Sequence, residues 1–316
     1  MTVTVVGAGV VGLTTAAVLL ERGRRVRVVA AEAPGGTTSA VAGAIWGPYR
    51  AGPPDAVERW SVAVLPALHR LAADPATGVR IGSGRVVSRD SIEEPALWRG
   101  LPEWRPCGPA ELPAGVVAGW SFSAPVFDMP AYLSYLLDRV TASGGRFERR
   151  TVGSLDEADL DGVVVNCTGV GARALTGDDS LVPVRGQHVV VRNPGLTDFY
   201  IEEPGASADF VVVFPHGGHV VLGGTAVVGA DDRAPDPVTA DAIVARCARV
   251  FPELRDAPVL RHAVGLRPAR PAVRVEAERL PSGRWCVHNY GHGGAGVTLS
   301  WGCAEEVAAI VASLPR

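Results

Sequence analysis

The stretch "TVTVVGAGVVGLTTAAVLLERGRRVRVVAAE", residues 2–32, decides the fold class. Thr2 to Val6 is β-branched and reads as a strand. An apolar stripe following Val10 reads as a helix, and Gly23 ends it before a second, Val-rich strand. Gly7, Gly9 and Gly12 fit GxGxxG, and Glu32 closes the second strand twenty residues after Gly12. The glycine spacing alone is a weak signal. With a strand before it, a helix after it and an acid at this distance, it reads as a dinucleotide-binding βαβ unit. The first glycine permits the turn, and the second lets the backbone approach a pyrophosphate. The helix entrance at Val10 and Val11 then offers its N–H groups to that anion.

Beyond this unit the rhythm changes. Residues 50–140 are rich in Pro and Trp, as in "LWRGLPEWRPCGPAELPAG". "DMPAYLSYLLDRVTASGG" is expected to be a helix with Asp128 as N-cap and Pro130 in its first turn. "DGVVVNCTGVGARAL" is an all-apolar strand that returns to the parallel sheet. "QHVVVR", "DFVVVFP" and "HVVLGGT" read as antiparallel strands, and "PVTADAIVARCARVFPEL" as one amphipathic helix. An α/β protein is expected, with a Rossmann-type nucleotide-binding domain assembled from residues 1–50, 140–184 and 265–316. Residues 51–139 and 185–264 would form an α+β substrate-binding domain with a mainly antiparallel sheet.

Composition narrows the function. The chain has 316 residues, 47% hydrophobic and 20% charged, with a net charge of −3. Interspersed charges of both signs argue against nucleic-acid or membrane-surface binding. All 30 basic residues are Arg, which removes any Schiff-base lysine chemistry. Five scattered Cys without a CxxC suit the reduced thiols of a cytoplasmic protein. No stretch reads as a membrane span, and the apolar start lacks a basic leader.

Four further stretches carry chemistry. "GGTTSAVAGAIWGPY" (35–49) has the small residues and hydroxyls that wrap a ligand closely, and "VNCTG" (165–169) ends a strand where α/β sheets bind ligands. "GLRPARP" (265–271) holds two arginines in a Pro-bracketed, stiff segment, and "HNYGHGGAGVTLSWGCA" (288–304) is a glycine loop entering a helix. In this order, with LGGT at 222–225, they resemble the D-amino-acid oxidase family of FAD flavoproteins from end to end.

The resemblance implies FAD as cofactor, with Gly7, Gly9, Val10, Val11 and Gly12 at its pyrophosphate. It implies Thr37, Thr38 and Ser39 as phosphate-contacting hydroxyls, Gly43, Ala44 and Ile45 beside the flavin ring, and Val152 and Thr168 around the adenosine half. Glu32 would take the ribose hydroxyls, although some members carry Asp where this chain has Ala31. Gly293, Gly294, Ala295, Gly296, Val297 and Thr298 match the stretch at the isoalloxazine edge. The helix beginning near Val297 would stabilise negative charge on the reduced flavin. Arg267 matches the arginine that clamps the substrate α-carboxylate, and a guanidinium offers a carboxylate two parallel hydrogen bonds. Holding the carboxylate aims the Cα–H bond at flavin N5 for hydride transfer, with the amine held by the Gly294 carbonyl. No general base is required by that scheme, and no metal is expected. The implied activity is oxidation of a D-amino acid by O2 to a 2-oxo acid, ammonia and H2O2, in a homodimer.

Other readings stay open for several residues. Tyr49 either roofs the site or packs, and Arg270 fixes the loop or a domain contact. His216 and His219 read as hairpin residues, and His288 and His292 as supports for the glycine loop. The substrate side departs from the family. Its substrate-facing tyrosines fall here on Val212 and Ala208, and Ala295 replaces a further tyrosine of some members. Tyr200, Phe210 and Phe214 are the rings near that stretch, with Phe210 a pocket candidate. Either another donor such as Tyr49 compensates, or the substrate is unusual. Glu202, Glu203 and Asp209, in a stretch without Arg, predict that acidic substrates are disfavoured and neutral D-amino acids preferred. The alternatives are a glycine- or sarcosine-type amine oxidase, a dedicated biosynthetic oxidase, and an FAD-binding protein without turnover. A nicotinamide dehydrogenase would leave the closing loop without a purpose.

Overall fold

The computed structural model describes residues 2–90, 96–203 and 209–315. The opening unit is β1 (Thr2–Val6), α1 (Val10–Glu21) and β2 (Arg25–Ala30). Consecutive residues are buried in both strands, Val3 to Val6 in β1 and Val28 to Ala30 in β2, as in a sheet covered on two faces. Gly7 has φ +115, and a side chain there would collide with the Cys167 carbonyl. A Cβ at Gly12 would collide with the Gly7 carbonyl, so the third glycine lets α1 close on the turn.

The chain continues through β3 (Ala44–Ile45), α2 (Pro54–Leu71), β4 (Val79–Ser88), β5 (Arg105–Pro106) and β6 (Ala118–Phe127). Next come α3 (Met129–Ala142), β7 (Arg146–Arg149), β8 (Val163–Asn166), α4 (Ala172–Thr176) and β9 (Val182–Arg192). Then follow β10 (Phe199–Glu202), β11 (Asp209–His216), β12 (His219–Thr225), β13 (Val227–Val228) and α5 (Pro237–Val250). The last elements are β14 (Val259–Arg279), β15 (Trp285–His292) and α6 (Gly296–Ser313).

The main sheet path runs β3-β6-β4-β10-β11-β12-β9-β14-β15-β8-β1-β2-β7. From β15 to β7 every pairing is parallel. Beyond β15 the pairs are antiparallel except β10 with β4. Helices α1, α3 and α6 pack together over the parallel part. The structure has the expected mixed α/β architecture, and two details refine the sequence reading. The segment "PVTADAIVARCARVFPEL" is not one helix, because α5 stops at Val250 and Pro252 opens a separate short turn. "GLRPARP", the Pro-bracketed segment, lies in the middle of the 21-residue strand β14. Its prolines are tolerated beside an irregularity in the β14–β15 register between Ala269 and Arg274.

Asp128 caps α3 as expected, its carboxylate accepting from Ala131 N at 3.4 Å. All five cysteines are free thiols. No helix among the described residues is long and apolar enough to cross a membrane.

Candidate active site

Two cavities meet at Arg267. The larger, about 650 Å³, lies over the C-terminal ends of the parallel strands. Gly7, Gly9, Val10 and Val11 line it, with Glu32 from the end of the second strand unit. So do Thr37, Thr38, Ser39, Val152, Thr168, Gly293, Gly294, Gly296 and Val297. The N-terminus of α1 faces this space with no side-chain cap from its N-cap residue, Gly9, and no acidic residue in its first turn, an arrangement that suits an anion. The N-terminus of α6 is likewise uncapped and free of acids. Ser39 Oγ accepts from Val10 N at 3.0 Å, and Thr38 Oγ1 accepts from Leu266 N at 3.4 Å. Thr37 spends its hydroxyl on the Pro34 carbonyl at 2.7 Å.

Whether this space suits FAD can be judged from its polar atoms. His292 and Asn289 also line it and are 2% and 1% exposed, yet His292 Nε2 and Asn289 Oδ1 have no hydrogen-bond partner among the described residues. Buried polar atoms are costly when unpaired, and a polar ligand in this cavity would relieve them. Together with the two acid-free helix N-termini and an accepting carboxylate at Glu32, these polar groups fit FAD.

The smaller cavity, about 250 Å³, is walled by Tyr49, Trp98, Phe122, Phe210, Val212 and Phe214. Gly43, Ala44 and Ile45 line this chamber rather than the larger one. Thr38, Ala42, Arg267, Gly294 and Val297 border both. Arg267 Nη1 donates to the Thr225 carbonyl at 3.0 Å, and its guanidinium has no carboxylate partner among the described residues. Burial pushes its pKa down, Tyr49 raises it, and Arg50 lowers it further. An Arg stays protonated under such pressure, so the junction carries an uncompensated cation.

Gly294 N donates to the Tyr49 carbonyl at 3.0 Å, and Gly293 N donates to the Pro268 carbonyl at 2.8 Å. These bonds tie the closing loop to Tyr49 and to the strand bearing Arg267. Tyr49 Oη accepts from Arg50 Nε at 2.8 Å, and the Tyr49 and Phe210 rings lie 6.3 Å apart. Tyr49 therefore stands at the junction and is not a remote packing residue. His188 also borders the small chamber and holds its Nδ1 3.0 Å from the Val41 carbonyl. Burial and Arg267 pull its pKa down to about 4, leaving it neutral at physiological pH.

A sequence profile for the family described as FAD dependent oxidoreductase matches residues 2–310. The chain belongs to this family. It is 53% identical over 308 residues to a D-amino-acid oxidase of Rubrobacter xylanophilus, covering 97% of this chain and 94% of that protein. A D-amino-acid oxidase of Streptomyces coelicolor is 49% identical, with 97% and 95% covered. The fold also matches a crystal structure of glycine oxidase from Geobacillus kaustophilus, with TM-score 0.80 and 22% identity, covering 99% of this chain and 95% of that one.

Within this FAD-dependent oxidoreductase several residues fall elsewhere than the motifs suggested. Ala295 is fully buried among Val57, Trp60 and Leu299 and borders neither cavity. Thr298 is also buried away from both, exchanging hydrogen bonds of 3.1 Å with Gly47 N and the Gly47 carbonyl. Gly12 serves the turn and not the cavity wall. Ala208 lies outside the described residues. Tyr200 turns into a separate core, where its ring meets Phe251 at 5.6 Å. Arg270 is structural, its Nε bonded to Asp178 Oδ2 at 2.8 Å. His216 and His219 sit at the ends of β11 and β12 with their rings 5.3 Å apart.

The acidic stretch also reads differently in three dimensions. Arg89 pairs with Glu202 at 2.5 Å and Arg246 with Asp209 at 3.1 Å, so distant arginines neutralise two of its three acids. Glu203 alone borders the small cavity.

Sequence reading missed Gly186, Trp98, Phe122 and Arg233. A side chain at Gly186 would collide with the Arg267 guanidinium. A glycine inside the strand "VPVRGQHVVVR" was the available signal, since such glycines mark close approach. Arg233 borders the larger cavity and bonds Glu32 Oε1 at 2.8 Å and the Gly36 carbonyl at 2.8 Å.

Proposed function

We infer that this protein is an FAD-dependent oxidase of D-amino acids, forming a 2-oxo acid, ammonia and H2O2. The observation that carries the reading is the unpaired Arg267 guanidinium where an apolar chamber opens onto the glycine-lined cavity. FAD bound in that cavity supplies the two-electron acceptor for the hydride that leaves Cα.

The residues of the chain do the rest. Arg267 holds the α-carboxylate through two parallel N–H···O bonds, with the Tyr49 hydroxyl as a further donor. The Gly294 carbonyl accepts from the amine and keeps it close to the glycine loop. The aromatic walls take the side chain and exclude water, which strengthens the ion pair. Fixing both polar substituents of Cα leaves its hydrogen one direction, toward the larger cavity. Glu32 takes the adenosine ribose, and the α1 N-terminus the pyrophosphate. The division into an FAD-binding domain of residues 1–50, 140–184 and 265–316 and a substrate-binding domain of residues 51–139 and 185–264 follows the same reading.

Neutral D-amino acids fit this chamber best, and Glu203 disfavours acidic ones. A glycine-type amine oxidase shares the fold, but a substrate without a side chain leaves Trp98, Phe122 and Phe210 with nothing to contact. Free thiols support a cytoplasmic location and the family a homodimer. Peroxide formation from D-valine, glycine and sarcosine tests the activity. D-Valine should be oxidised at least tenfold faster by kcat/KM, and a preference for sarcosine would replace this reading with the amine-oxidase one.

A further inference from the structure

Two charged groups, Arg267 and Glu203, stand in the wall of the small cavity. Arg267 comes from β14 and Glu203 follows β10, four positions away in the strand order β10-β11-β12-β9-β14. Glu203 is held at the backbone by its N–H, which donates to the Val87 carbonyl at 2.8 Å. Its neighbours Glu202 and Asp209 are each paired with an arginine, whereas no Arg or His pairs with Glu203 among the described residues. Its carboxyl instead takes a hydrogen bond from Ser88, and burial raises its pKa above the ordinary range. A half-buried carboxylate with one neutral donor is under-compensated, so a cation entering the chamber would be favoured there. Rings line the same chamber: Trp98 lies 5.4 Å from Phe122, centroid to centroid. Aromatic faces attract ammonium and guanidinium groups that are partly desolvated.

We propose that Glu203 forms a cation subsite in the wall of the substrate chamber, apart from Arg267 in the sheet, so that the ω-cation of a basic D-amino acid is held on Glu203. The proposal rests on the D-amino-acid oxidase reading and assigns Glu203 as a residue that sets the choice of side chain within it.

The test compares kcat/KM for D-lysine and D-norleucine, which match in length and differ in the terminal charge, using the FAD-loaded enzyme. The ratio of D-lysine to D-norleucine should fall about tenfold or more in Glu203→Gln, with the loss in KM rather than kcat. In Glu203→Lys it should fall further, while the ratio for D-glutamate against D-norleucine rises. The flavin absorption band of each variant reports folding independently of turnover. An unchanged D-lysine ratio in both variants, with D-norleucine still oxidised, would overturn the subsite alone. Absence of any D-norleucine oxidation by the unmodified protein would overturn the oxidase reading and the subsite together.

Discussion

The Arg267 guanidinium carbon stands 5.9 Å from the centre of the Tyr49 ring, at the border of the two cavities. The π-face helps hold a desolvated cation that has no carboxylate partner among the described residues. Removing one partner of a desolvated, hydrogen-bonded ion pair costs about 2–5 kcal/mol. Arg267→Ala should therefore lower kcat/KM for D-valine by about 10²- to 10³-fold. The flavin spectrum should be retained, because the cofactor is held mainly by other groups. Steady-state kinetics beside an absorption spectrum checks both, and unchanged substrate affinity would sink the carboxylate assignment.

Tyr49→Phe keeps the ring beneath Arg267 and removes the hydroxyl that accepts from Arg50. Loss of one donor to a charged group is worth about 1.5–3 kcal/mol. An increase in KM of roughly tenfold or more is expected, with a smaller change in kcat. A variant with unaltered KM would show that the hydroxyl does not reach the carboxylate.

Gly186→Ala carries a prediction that does not depend on charge removal. Its Cβ would occupy the place of the Arg267 guanidinium. The arginine remains in the chain but is displaced, and displaced catalytic groups lose rate steeply. Activity should fall at least tenfold while FAD binding, followed by flavin fluorescence, is preserved. Near-normal kinetics would mean that Arg267 can hold substrate from another rotamer.

Acid should destabilise the protein through buried imidazoles. His188 and His292 are 8% and 2% exposed, and burial first, with Arg267 adding to it at His188, brings each pKa from 6.5 to about 4. The folded protein thus binds fewer protons than the unfolded chain between these values. Their contribution is fully present above pH 6.5 and is lost as pH falls toward 4, on the order of 3 kcal/mol for each histidine. The Tm should drop steeply over that interval, and His188→Gln should flatten the slope. A Tm independent of pH between 6.5 and 4.5 would contradict the assignment.

The legible parts were those in which chemistry depends on short-range spacing. Gly7, Gly9 and Gly12 define a turn by themselves, and Gly293 to Val297 announce a helix entrance within a few residues. Arg267 was found through the family resemblance that its GLRPARP segment carries. What stayed hidden depends on strand register. Gly186 lies opposite Gly265 in the β9–β14 ladder, a pairing nearly eighty residues apart in sequence. Trp98 and Phe122 enter the chamber from a segment whose Pro- and Trp-rich composition resembles packing. The charge of the acidic stretch was misjudged for the same reason, since Arg89 and Arg246 reach it from far along the chain. Ala295 shows the converse: a motif position borrowed from relatives, here turned into the core behind the loop.

The most direct test of the central claim is anaerobic reduction of the enzyme-bound flavin, followed by loss of its visible absorption. D-Alanine and D-valine should bleach the flavin rapidly, while the L-enantiomers and D-alaninamide, which lacks the carboxylate, should be slower by about two orders of magnitude or more. Bleaching by an L-amino acid or by D-alaninamide at a rate equal to that of D-alanine would contradict an oxidase whose handedness and orientation rest on Arg267.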